Sequence, residues 1–149
     1  MSIDGLTTVE GIADFLDAEI VNSVPGELRS EVRAAAKLLR TSAVELSVRY
    51  REVGAEIDDL LVLCAAHVVA DDASAVIDLS ARAAGERMSL REQERLRTDV
   101  HDLVSRTMAR LTVSNDRALA EFLRCLGGHA ARRSTWQAVF PGNPAGVSA

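Results

Sequence analysis

The sequence predicts an all-α fold, a single-domain helical bundle of about five to six helices with one long central helix, on three observations. Leu28, Val32, Ala35, Leu39, Leu46, Tyr50 and Val53 recur at alternating steps of three and four, interrupted only by Ser42, which stacks them on one helical face. Nearly half of the 149 residues are hydrophobic but only five are aromatic, so the core must be built from Leu, Val, Ile and Ala, which favours close helix packing over a β-sandwich. Two capping boxes, Thr7 with Glu10 and Ser89 with Glu92, mark helix starts.

Taken in order, residues 1–6 read as a leader. A first helix runs from about Thr8 to Val21 with Val9, Ile12, Leu16 and Ile20 inward and a solvated acidic face of Asp14, Asp17 and Glu19. Asn22 to Gly26 is turn chemistry, and Pro25 suits the entry to the long second helix because its missing N–H has no intrahelical partner there. Gly54 punctuates its exit. A third helix places Ile57, Leu60, Leu61, Cys64 and Val68 inward. Asp71-Asp72 opens a fourth with Val76, Ile77, Ala81 and Ala84, and Gly85 ends it. The fifth carries the stripe Leu96, Val100, Leu103, Val104, Thr107 and Leu111. Its arginines Arg91, Arg95, Arg97, Arg106 and Arg110 are expected to pair with Glu92, Glu94, Asp99 and Asp102 along the helix. Ser114 or Asn115 caps a sixth helix with Leu119, Phe122 and Leu123 inward, closed by Gly127-Gly128. The expected organisation is therefore a bundle over residues 1–128 and a C-terminal extension over 129–149, partly mobile, with two prolines and two glycines in its last nine residues. Trp136 and Phe140 in that extension either fold back on the bundle or anchor another chain.

A formal charge of −5 argues against broad nucleic-acid binding, which needs a net basic face. The longest uncharged run, Leu60 to Ala70, is too short for a membrane span of about 20 residues. Two cysteines in apolar stretches, and an N-terminus lacking a basic start and an apolar core, read as a cytoplasmic chain with free thiols.

Chemistry-bearing patterns are few. Cys64-x-x-His67 and Cys125-x-x-x-His129 each align a thiol and an imidazole, and together would supply the Cys₂His₂ set zinc favours. The competing reading, and the one taken, is that all four are structural residues and no metal or other cofactor is bound. Glu-x-x-His, the bundle signature for paired iron or manganese ions, is absent from the sequence. His101 with Asp99 and Asp102 reads as a solvated face, since neighbours one and two apart on a helix do not face each other. No Walker loop, G-x-G-x-x-G or G-x-S-x-G stands anywhere in the chain. Together these absences point away from an enzyme.

The run V-P-G-E-L-R-S-E-V-R-A-A-A-K-L-L from Val24 to Leu39, with Glu45-Leu46 behind it and L-T-V-S-N-D at Leu111 to Asp116, resembles a family of small all-helical bacterial proteins. Its members carry L-P-G-R-L-x-F-H-A-R-V-A-A-N-A-L, then R-E-L, and near the end L-x-V-D-N-P. Pro25, Gly26, Leu28, Arg33, Ala35, Ala36, Leu39, Glu45, Leu46, Leu111, Val113 and Asn115 fit in place, whereas Glu31 and Lys37 stand where the family has His and Asn. The resemblance implies an accessory subunit of an aminoglycoside-phosphotransferase-like kinase that phosphorylates a 4-hydroxyacyl-CoA, in a sequence of reactions shared with an acyl-CoA dehydrogenase. On this expectation the kinase supplies ATP, magnesium and catalysis. Arg33 is the leading partner-contact residue, with Glu31, Lys37, Trp136 and Phe140 as further candidates; the competing reading of Arg33 is an intramolecular pair with Glu45 or an acid of the first helix. The alternative function is a self-associating helical scaffold or ligand-binding bundle without a kinase.

Overall fold

The computed structural model describes residues 3–68, 70–85, 88–111 and 116–139, and these are all-α. In order they form α1 (Ile3–Phe15), a π-helical turn (Leu16–Ile20), the short α2 (Val21–Ser23), a 3₁₀ turn (Gly26–Leu28), α3 (Arg29–His67), a 3₁₀ turn (Ala70–Asp72), α4 (Ala73–Ala83), α5 (Leu90–Leu111) and α6 (Asp116–Val139). The chain divides into two compact units, Met1–Tyr50 and Arg51–Ala149, so α3 contributes its first half to one and its second half to the other.

The central helix is longer than the sequence suggested. Gly54 does not end it; the expected second and third helices are one helix of 39 residues. A glycine inside a helix costs only about 1 kcal/mol, and the apolar positions on both sides of Gly54 keep one face buried through it. Gly127-Gly128 likewise fails to close α6, which runs on to Val139 and carries His129 within it. At the other end, α1 begins at Ile3, so Thr7 lies inside the helix and not at its start. The second capping box is as expected: the Ser89 N–H donates to Glu92 Oε2 at 2.7 Å, and the Glu92 N–H returns a bond to Ser89 Oγ at 3.3 Å. The Ser89 hydroxyl, donating to Glu92 Oε2 at 2.6 Å, and then the Ser89 N–H hold the Glu92 carboxyl below its ordinary pKa. Gly85 donates to the Arg82 carbonyl at the end of α4. The expected cap of α6 at Ser114 or Asn115 lies outside the described residues.

In the first unit the connection after α2 is short, and Arg40 of α3 bonds Asp14 at 2.9 Å and Asp17 at 2.5 Å, so α1 and α3 form an antiparallel hairpin. The acidic face expected of the first helix stays exposed, with Asp14 at 74%, and Arg40 pairs with it. Ala13, Ala36 and Ala43 are buried, small side chains that let two helix backbones approach closely. The long stripe of α3 is not its buried line: Leu28 and Ala35 are exposed, and Val32, Leu39 and Leu46 only partly covered.

The second unit holds the main core. Val53, Ile57, Leu60, Leu61 and Cys64 of α3 pack with Val76 and Leu79 of α4, Leu96, Val100, Leu103, Val104 and Leu111 of α5, and Ala118 and Phe122 of α6. The expected inward sets of the third and fifth helices are therefore found inside. Two apolar residues expected inside are out: Ile77 is exposed while Leu79 takes the core position on α4, and Leu123 is exposed on α6. Arg95 acts on Glu92 along α5 as expected, and other charges tie helices to one another. Arg106 and Arg110 reach Asp72, and Arg82 of α4 reaches Asp99 at 2.7 Å.

Candidate functional site

The second unit concentrates its polar chemistry where α3 faces α5 and α6. Glu56 stands one turn from Val53 and one from Leu60, so helical spacing carries its carboxylate inward with them, and it is almost fully buried. A buried carboxylate needs partners. Glu56 has three: His101 Nε2 at 2.9 Å and Arg97 Nε at 3.2 Å from α5, and Arg133 Nη1 from α6. Burial alone would raise its pKa, but the hydrogen bonds from His101 and Arg133 and the charges of Arg97 and Arg133 prevail and hold it at about 2. His101 is thus the partner of a buried acid, not part of a solvated face.

One turn further along α3, Asp59 Oδ2 lies 3.0 Å from Nε2 of the buried His129. Arg132 Nη2 lies 2.7 Å from His129 Nδ1, and Arg132 Nε bonds Glu52 at 3.2 Å. A guanidinium only donates, and Arg132 Nη2 lies nearer Nδ1 than Nε2, 2.7 against 3.2 Å, which assigns Nδ1 as its acceptor and leaves the ring proton on Nε2, facing Asp59. Cys125 sits one turn before His129 on the same face of α6. Burial raises its thiol pKa, as do the charges of Asp59 and Glu56, against the opposing charge of Arg132. Sγ of Cys125, a ring nitrogen of His129 and a carboxylate oxygen of Asp59 all lie within 4.8 Å of one another. They line an open groove of about 490 Å³ shared with Val62, Glu121 and Arg124.

The Cys₂His₂ set suggested by spacing does not assemble. Among the described residues, the group of metal-competent side chains that includes Cys125 and His129 contains neither Cys64 nor His67. Cys64 is buried in the core, hydrogen-bonded to Thr107, and burial pushes its thiol up to about 11. His67 packs against the Phe122 ring at a centroid distance of 5.9 Å, with Glu121 3.6 Å away.

In the hairpin of the first unit, the two edges differ. At about 100° per residue, Arg40 falls to one side of the Ala36–Ala43 line, and Asp14 and Asp17 fall to the matching side of Ala13. Arg33, Lys37 and the exposed Val44 share that polar side. Leu28 of the 3₁₀ turn and Ile12 of α1 fall to the other, while Leu38 and Phe15 lie on the outer faces of their helices, about 160° from the alanine line. Those four side chains are between 46% and 67% exposed, so the first unit leaves several large apolar groups uncovered. Glu31 is exposed as well. Arg33 has no ion-pair partner among the described residues; the pairing with the first helix falls to Arg40 instead. Trp136 lies on α6, but its side chain and all of Phe140 are outside the described residues.

Sequence reasoning missed Glu56, Asp59, Arg132 and Arg133. Glu56 had a signal, its place inside the apolar register Val53, Ile57, Leu60. The other three had none, because what selects them is a helix 70 or more positions away. Searches of protein-family models, curated proteins and solved structures return no match to this chain.

Proposed function

We propose that the protein is a non-catalytic accessory subunit that docks onto a partner enzyme through exposed apolar side chains of its N-terminal hairpin. The resemblance of the 24–39 and 111–116 segments points to an aminoglycoside-phosphotransferase-like kinase acting on hydroxyacyl-CoA intermediates. An acyl-CoA dehydrogenase belongs to the same sequence of reactions. This reading puts the chain in the cytoplasm, beside ATP and CoA esters. Among the described residues no helix is long and apolar enough to cross a membrane.

The observation that carries the reading is the exposure of Ile12, Phe15, Leu28 and Leu38 in the first unit, beside the ion pairs of Arg40 with Asp14 and Asp17. Single exposed apolar residues are ordinary; four within one small two-helix unit offer apolar area whose burial contributes roughly 25 cal/mol per Å². Arg33, on the polar side, is secondary in this account. A second reading rests on the heptad-like spacing of Leu28, Val32, Ala35, Leu39 and Leu46, which also suits pairing with the same helix of another copy.

The test is co-purification of the chain with the phosphotransferase-like kinase encoded nearest to it, followed by kinase assay. A mixed complex that Leu38→Glu dissociates, with turnover dependent on this chain, supports the subunit reading. Homodimers indifferent to that kinase support the second.

A further inference from the structure

Helical geometry sets Cys125 and His129 one turn apart on the same face of α6, and Asp59 meets them from α3. Bonds of about 2.0 to 2.3 Å to one ion draw ligand atoms to within about 4 Å of each other. The three ligand atoms already lie within 4.8 Å of one another, so binding asks them to close by about 1 Å. The three sit at a groove, so a fourth coordination position opens toward Glu121 and Arg124. Thiolate, imidazole and carboxylate together suit zinc, whereas magnesium and calcium take oxygen donors. Charge also balances: a divalent ion with one thiolate and one carboxylate is neutral, which suits a partly buried position.

We propose that Asp59, Cys125 and His129 form a three-ligand zinc site whose fourth position takes a water or a small anionic ligand from the groove. This does not rest on the accessory-subunit reading. On binding, the hydrated ion loses three waters, the Cys125 thiol gives its proton to solvent, and sulfur, His129 Nε2 and an Asp59 oxygen take their places. The proton on Nε2 leaves and Nδ1 gains one, so the imidazole stays neutral. Nδ1, now a donor, no longer accepts from Arg132, which keeps its bond to Glu52. Arg132 is therefore a positioning residue that holds the metal-free arrangement and competes with the ion.

The experiment uses the full chain without a histidine tag, stripped by chelator and titrated with Co²⁺. The expected result is one equivalent bound with thiolate-to-cobalt charge-transfer absorption and d–d bands of tetrahedral intensity, both removed by stoichiometric Zn²⁺. Cys125→Ser removes the charge-transfer band and Cys64→Ser retains it. Asp59→Asn, at an exposed carboxylate, weakens binding at least about tenfold and tests the site even where a thiol variant fails to fold. Arg132→Gln tightens binding about tenfold by removing a neighbouring positive charge. Absence of the charge-transfer band in the unsubstituted chain, its survival in Cys125→Ser, or Asp59→Asn affinity equal to that of the unsubstituted chain would overturn the proposal.

Discussion

His101 Nε2 stands 2.9 Å from Oε1 of Glu56, joining a buried acid of α3 to a helix 45 positions later. With Arg97 and Arg133 on the same carboxylate, this contact makes Glu56 a charge that ties both α5 and α6 to α3. Its pKa is depressed in the folded chain, so the stability it contributes is full above its ordinary value of 4.5 and is lost as pH falls toward about 2. Urea unfolding followed across that window should show a loss of about 3 kcal/mol that Glu56→Gln largely abolishes. A variant with the same acid profile would show that other carboxylates govern it.

At neutral pH, Glu56→Gln is expected to destabilise the second unit by about 2 to 4 kcal/mol, because three cationic groups lose their counter-charge together. Arg40→Gln, at half-exposed ion pairs in the first unit, should cost no more than about 1 kcal/mol. Paired thermal melts check the ordering. Equal shifts would contradict the weight given to burial.

Two glycines make a test of helix continuity. A Cβ at Gly127 meets nothing within 4 Å, and one at Gly54 meets only Gln93 Nε2 at 3.6 Å, ordinary contact. Because both lie inside continuous helices, Gly127→Ala and Gly54→Ala should each stabilise the chain by about 0.5 to 1 kcal/mol in thermal or urea unfolding. Destabilisation at either position would mean that the helix breaks there.

These glycines also show where sequence reasoning reached its limit. Periodicity identified the all-α class and the buried stripes of α5 and the second half of α3, since burial there follows one face of one helix. Gly54 and Gly127-Gly128 were read as stops because local propensity was weighed without the packing on either side that overrides it. Leu28 and Ala35 have the spacing of a core stripe yet face solvent, because periodicity finds an apolar face and not what covers it. Asp59, Cys125 and His129 meet only through the pairing of α3 with α6, which no local pattern encodes; the sequence offered Cys125 and His129 by their spacing but matched them with Cys64 and His67.

The two thiols should differ in reactivity. Cys64 is buried, and its thiol is pushed up to about 11 by burial and the charge of Asp72, against the Thr107 hydrogen bond. Alkylation of the native chain should modify Cys125 slowly and Cys64 at least about a hundredfold more slowly than a free thiol, with both reacting once urea unfolds the chain. Fast native labelling of Cys64 would contradict the core arrangement around it.

The central claim is that exposed apolar side chains of the hairpin dock a partner, and solution mass tests it most directly. Light scattering of the chain, alone and mixed with its nearest phosphotransferase-like kinase, should give a mixed complex that Leu38→Glu or Phe15→Glu dissociates and Arg33→Ala leaves largely intact. A monomer that binds nothing, or a complex unaffected by Leu38→Glu and Phe15→Glu, would contradict it.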